Sequence, residues 1–317
     1  MGSKSQVIHK IAPIFPAADN FYDLFGGGYS VSHFMTKHFA DKYKQFIYNE
    51  IKSDVVDLVK DAIAGKYNYD VFKPAWISRE QFNSEKKTNA YVRCLWSFGN
   101  DQRSYLFSRE NERIKKSLHQ AVVFNLFDKV AIDLLNIKVF PEHLSIRGRR
   151  LICRGIITRQ GELQHLEGLE GLERLERLQR LQQLQGLEGL ERLQRLEAIE
   201  RKTINQTFLS KSYLDIKIES NSVIYCDPPY KNTNGYVSEF DHDIFWEWAM
   251  DQKEPVFVSE YVAPKNVNVI MAFHKKSNMS ATMITNSVEK VFGNSSAMKI
   301  LKSGLGIQAK DWPYSSV

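Results

Sequence analysis

The chain has 317 residues, 43% of them hydrophobic and 25% charged, which is enough apolar material for one large core or two modest ones and excludes wholesale disorder. No run of about 18 apolar residues is present, so no membrane-spanning helix is expected, and the opening Met-Gly-Ser-Lys-Ser lacks the apolar centre of a secretion signal. The net charge of +6 is uneven: residues 1–160 carry 25 Lys and Arg against 16 Asp and Glu, residues 161–202 carry 7 against 9, and residues 203–317 carry 11 against 12. A basic N-terminal half suits a polyanionic partner such as nucleic acid, though a merely basic soluble protein has the same balance.

Asn20-Phe-Tyr-Asp-Leu-Phe25 is apolar enough for a buried strand, Gly26-Gly27-Gly28 turns the chain, and Val31, Phe34, Met35, His38 and Phe39 follow at helical spacing. Gln45–Tyr48 reads as a second strand and Val55–Ile63 as a second helix. Strand alternating with helix predicts an α/β fold, a parallel sheet covered on both faces. Ser78-x-x-Gln81 is a capping-box pattern opening another helix, and 108–136 is largely helical in pattern.

Between Leu163 and Ile199, Leu or Ile recurs at every third position, separated mostly by Glu, Gln, Arg and Gly. On an α-helix a period of three slips by about 60° per repeat, so no single apolar face results. Gly168, Gly171, Gly186 and Gly189 weaken a helix further. A strand needs period two. The expectation is a tolerated surface insertion of turn-rich or irregular form, with a partner-docking module as the alternative.

The sheet resumes at Ser222-Val-Ile-Tyr-Cys226, which runs into Asp227-Pro228-Pro229-Tyr230. Prolines end a central strand, so these residues arrive at its C-terminal end, where open α/β sheets bind ligands. A helix at 244–250 and a strand at 255–259 follow.

The tetrapeptide suits chemistry on an exocyclic base amine. Such an amine is a poor nucleophile because its lone pair is delocalised into the ring. Acceptors that hold both N–H bonds help to localise that lone pair. The Asp227 carboxylate is one acceptor and the Pro228 carbonyl a second, and Tyr230 offers a ring on which a flipped base can stack. A strand-end turn that merely uses Pro-Pro is the plainer alternative. The glycines after Phe25 allow a cofactor to approach the backbone, and Glu50, about 20 residues on at a strand end, suits ribose hydroxyls. The three cysteines, Cys94, Cys153 and Cys226, have no disulfide or zinc spacing; a reducing cytoplasm is expected and no metal.

Glycine loop, acidic second-strand end, long intervening segment and DPPY, in that order, resemble the Dam-type (D12 class) DNA adenine-N6 methyltransferases. Gly2-Ser3-Lys4 is similar to the family's N-terminal glycine-lysine motif, and Tyr22-Asp-Leu-Phe-Gly-Gly-Gly-Tyr29 to its cofactor loop. Trp96-Ser-Phe-Gly-Asn100, with Arg103, Tyr105 and Leu106, resembles a phage-borne branch. The resemblance implies a Rossmann-like, S-adenosylmethionine-dependent methyltransferase sheet with helices on both faces, methylating adenine N6 in double-stranded DNA by base flipping. It implies catalytic Asp227, Pro228, Pro229 and Tyr230, and a cofactor held by Lys4, Phe25, Gly26, Gly28, Glu50 and Asp227.

It also divides the chain into a cofactor part (1–64), a helical target-recognition region (65–160), the leucine-rich insertion (161–202) and a catalytic part (203–317). The basic stretch with Arg147, Arg149, Arg150, Arg154 and Arg159, free of acids between Ser145 and Gln160, fits DNA contact there or a solvated basic loop. Lys115 and Lys116 are weaker DNA candidates. Tyr91, Trp96, Phe98 and Tyr105 suit base stacking or, more simply, a core. The family usually has Asp where Glu50 stands, and an aromatic before the Gly-Ser-Lys, so a shortened N-terminus is expected. A monomer or weak dimer in the cytoplasm is expected, in a bacterial or phage-infected cell, with a restriction-modification role among the options. Methylation of cytosine N4 or of an RNA base, and a non-catalytic DNA-binding role, stay open as alternatives.

Overall fold

The computed structural model describes residues 4–166, 185–196, 204–230, 240–278 and 284–304. The chain forms two compact units, one made of residues 1–59 and 199–317, the other of residues 60–198.

The first unit is built on a sheet of β1 (Asn20–Asp23), β2 (Gln45–Asn49), β3 (Gln206–Leu209), β4 (Ser222–Cys226), β5 (Val256–Glu260), β6 (Asn268–Asn278) and β7 (Ile284–Gly293), in the order β3-β2-β1-β4-β5-β7-β6. The first five strands are parallel, and β7 inserts antiparallel between β5 and β6. This is the Rossmann-like α/β sheet, with the direction of strand addition reversing between β1 and β4.

Alternation along the central strands explains the two faces. In β4, Val223 and Tyr225 pack with Phe15, Phe21, Met35 and Phe257. Ile224 and Cys226 pack with Leu24, Ile47, Phe245, Trp246 and Phe292 on the opposite side. The helices Ser30–His38 and Ser295–Lys302 supply Met35 and Ala297 to the first cluster, and the helix His242–Asp251 supplies Phe245 and Ala249 to the second. Burial on both faces is why β4 and β5 read as continuous apolar runs. The paired β6 and β7 have no counterpart in the sequence reading, because their Lys, Asn and Ser residues hide the alternation.

The second unit is helical. Leu118, Val122, Leu135, Ile146, Cys153 and Ile157 form its centre, contributed by the helices Arg109–His119, Lys129–Leu135 and Ile146–Leu166 and the π-helical turn Gln120–Phe124, together with Phe140 from the connection before the last helix. The Ser78 side chain accepts the Gln81 N–H as the capping pattern predicts. The basic stretch of Arg147–Arg159 is not a loop: it lies in the 21-residue helix Ile146–Leu166.

The leucine tract also departs from its reading. Leu163 and Leu166 belong to that same helix, and Gln185–Gln194 is a further helix with Leu187 and Leu190 buried. A single step of the three-residue period slips by only about 60°, so the two leucines three apart share a face and suffice for docking. Gly189 serves this packing, since a Cβ there would sit 3.3 Å from Leu95 Cγ. Glu191 pairs with Arg150 at 2.6 Å, and the Gln194 side-chain amide donates to the Tyr67 carbonyl at 2.7 Å. This part of the tract is core, not a surface insertion. The remainder, 167–184 and 197–203, lies outside the described residues.

Candidate active site

β1 and β4 are neighbours in register, Tyr22 opposite Ile224 and Asp23 opposite Tyr225, so the glycine turn after β1 and Asp227 after β4 emerge side by side at the sheet's C-terminal edge. That is the switch point, where diverging connections leave an open crevice.

The glycine turn is held from β2. The Gly26 N–H donates to the Asn49 carbonyl at 2.8 Å, and the Tyr48 hydroxyl donates to the Gly27 carbonyl at 2.7 Å. Residue 26 must be glycine, because a Cβ would lie 2.1 Å from the Tyr48 ring; Gly27 takes a positive φ of 48°. Gly28 is exposed. Phe25 packs edge-on against Phe240 and Phe245 and tilted against Tyr213. Glu50 folds back on the turn: its carboxylate accepts the Gly27 N–H at 3.1 Å and the Lys52 N–H at 3.2 Å. Burial raises its pKa, partly offset by those bonds and by Lys52.

Lys4 is nearly fully buried, at 3% exposure, and it organises the DPPY corner. Its ammonium lies 2.7 Å from Asp227 Oδ1 and 2.9 Å from Glu289 Oε1, donates to the Tyr230 hydroxyl, and stands 4.8 Å from the Tyr230 ring centre. The Tyr230 hydroxyl in turn donates to Glu289 Oε1 at 3.1 Å, and its ring meets Tyr261 edge-on at 4.7 Å. Burial alone lowers the Lys4 pKa, but Asp227 and Glu289 outweigh it and the net direction is upward. Asp227 is pushed up by burial, with Lys4 pulling against it. Pro228 is buried and Pro229 half-buried.

Two acids here were not among the predicted site residues. Asp23, at the end of β1, accepts from the Ser32 N–H and hydroxyl with Oδ2, while its Oδ1 is buried with no hydrogen-bond partner. Burial and then the Asp227 charge, against the Ser32 bonds, push its pKa up to about 7. An acid closing an apolar strand just before a glycine turn was its available signal. Glu289, fully buried on β7, had a weaker one: a charge inside the run Val288-Glu289-Lys290-Val291-Phe292.

Asp23 Oδ1, buried without a hydrogen-bond partner, fits the ammonium of S-adenosylmethionine, Glu50 fits its ribose, and the glycine turn admits its close approach; Lys4, expected to bind the cofactor, instead directs its ammonium at Asp227, Glu289 and Tyr230. Among the described residues no cluster of His, Cys, Asp or Glu suits a metal ion, and no helix is long and apolar enough to cross a membrane.

The predicted DNA-contacting residues lie in the helical unit. Arg147, Arg154 and Arg159 are exposed, whereas Arg149 and Arg150 are half-buried and Arg150 is engaged by Glu191. Lys115 is buried, 5.7 Å from the Phe107 ring centre, and is withdrawn as a DNA candidate; Lys116 is exposed. Trp96 and Tyr105 are core residues, and Tyr91 stacks on Tyr67. Phe98 is 61% exposed, on the turn bridged by Ser97 and Tyr105.

No curated protein matches the chain. Two solved structures of the rRNA methyltransferase aviRa from Streptomyces viridochromogenes align with it: one at 8% identity over 93% of this chain and 85% of that one (TM-score 0.34), the other at 9% over 95% and 86% (TM-score 0.33). The family model for D12 class N6 adenine-specific DNA methyltransferases matches residues 1–142, a span that holds Lys4, the glycine turn and Glu50 and stops short of DPPY.

Proposed function

We propose that the protein transfers a methyl group from S-adenosylmethionine to adenine N6 in duplex DNA, acting on a base flipped out of the helix. The observation that carries this reading is the emergence of Asp227-Pro-Pro-Tyr230 beside the Gly26–Gly28 turn at the switch point of the sheet. The cofactor supplies a methyl group already activated by its sulfonium. The protein's own work is alignment and electrostatic support as positive charge moves to the nitrogen. Asp227 accepts one N–H of the amine and the Pro228 carbonyl the other, Tyr230 stacks on the base, Asp23 and Glu50 hold the cofactor's polar groups, and Lys4 holds Asp227 and Tyr230 in place. Exposed Arg147 and Arg154, on one face of the helix Ile146–Leu166, contact phosphates.

Mass spectrometry of nucleosides from a methylation-deficient host that expresses the chain tests this. N6-methyladenine is the expected product; N4-methylcytosine, or methylated bases confined to RNA, replaces the reading with one of its neighbours.

A further inference from the structure

The triad of buried charges at the DPPY corner has a composition the transfer reaction can use. Lys4, Asp227 and Glu289 are a cation between two carboxylates, 2.7 Å and 2.9 Å away. With only Lys4 and Asp227 the corner would be a neutral pair, and the ammonium would compete fully with the substrate amine for the carboxylate. Glu289 divides the attention of Lys4. Its carboxylate also accepts a hydrogen bond from the Tyr230 hydroxyl at 3.1 Å, which fixes the ring that follows the two prolines. The site on β7 is buried, so the charge is screened little by solvent.

We propose that Glu289 is a positioning residue for methyl transfer: by sharing the Lys4 ammonium with Asp227 and anchoring Tyr230, it leaves the amine-binding corner with one net negative charge. This rests on the reading of Asp227-Pro-Pro-Tyr230 as the amine-binding corner. During transfer the N6 lone pair forms the new N–C bond as the C–S bond breaks. The sulfonium becomes a neutral thioether, and the nitrogen is cationic until it passes a proton to solvent water. A corner of net charge −1 favours that transient cation; a neutral corner does not.

The test is steady-state transfer of labelled methyl from S-adenosylmethionine to unmethylated DNA, with Glu289→Gln and Glu289→Asp beside the unaltered chain. Gln keeps the size and an acceptor for Lys4 and Tyr230 but removes the charge; Asp keeps the charge and shortens the reach. Glu289→Gln should fold and lower kcat on the order of 10- to 100-fold, with KM for DNA within about threefold, and Glu289→Asp should recover part of the loss. Unchanged kcat in Glu289→Gln, or a change confined to KM, overturns the proposal.

A second readout does not depend on turnover. The Lys4 ammonium resonance in nitrogen-15 spectra should shift in both variants, and an unmoved resonance also overturns it. If the unaltered chain methylates no DNA, the functional reading fails, and the Lys4 resonance still decides whether Glu289 sets the state of this lysine.

Discussion

The Lys4 ammonium and the Asp227 carboxylate, 223 positions apart in the chain, meet at 2.7 Å beneath the Tyr230 ring. The contact ties the start of the chain to the end of β4, and Lys4 is the cation that both Asp227 and Glu289 face. Breaking a buried ion pair from one side is costly, because the remaining charge keeps its desolvation penalty without compensation.

Lys4→Met should therefore destabilise the fold by about 3–5 kcal/mol, with two carboxylates left facing each other. Chemical denaturation measures this. The additional change Glu289→Gln should restore part of the stability by removing one of the two charges, and failure of the second change to help would mean that the carboxylates do not interact through Lys4.

His119 should make the stability of the helical unit fall with acid. Its Nε2 donates to the Pro74 carbonyl at 2.9 Å, and its ring lies edge-on to Trp76 at 5.5 Å and close to Trp96. Burial, against the Pro74 bond, lowers its pKa to about 4. The unfolded chain takes up a proton as pH falls through about 6.5, whereas the folded chain does so only near 4. Its stabilising share is thus complete above pH 6.5 and is lost as pH falls towards 4, about 3 kcal/mol in all. Equilibrium unfolding followed over that range should show the slope, and His119→Gln should flatten it.

The second half of the leucine tract behaves as core. Leu190→Ala, at a fully buried position, should cost about 2–5 kcal/mol, while the same change at exposed Leu151 should cost far less. Equal effects at the two positions, measured by thermal unfolding, would return the tract to the surface.

Arg147 and Arg154 are exposed, whereas the Arg150 guanidinium is half-buried and paired with Glu191. Neutralising each of the first two to Gln should lower the slope of log affinity for DNA against log salt by about one unit per residue. Arg150→Gln should instead act on stability through Glu191. Filter binding across a salt series separates the two.

The sheet was legible where burial is two-sided or turns are forced. β1, β2, β4 and β5 carry mostly apolar runs, and the Gly26–Gly28 turn and the Pro228–Pro229 pair mark the ends of β1 and β4. The corner residues Asp227 and Tyr230 could be read because proline fixes where a strand stops. Glu289 could not, because β7 pairs antiparallel with both β5 and β6 and carries polar residues at many positions. The helix at Gln185–Gln194 was missed for a different reason. A period of three argues against a long amphipathic helix, but a short helix needs only one pair of neighbouring leucines and a glycine at the contact, which Leu187, Leu190 and Gly189 provide. In the basic stretch, charge was visible in the sequence, but the division between exposed Arg147 and Arg154 and engaged Arg150 depends on where Glu191 packs.

The central claim is that Asp227 holds the amine of an adenine in DNA while it receives a methyl group. Long-read methylation mapping of DNA from a methylation-deficient host compares the unaltered chain with Asp227→Asn, in which Glu289 still balances Lys4 and the amide keeps the carboxylate's size. The account predicts N6-methyladenine at a defined sequence with the unaltered chain, and its disappearance with the Asn variant although the variant protein remains folded and soluble. Adenine methylation that persists at an unchanged level in the variant would contradict it.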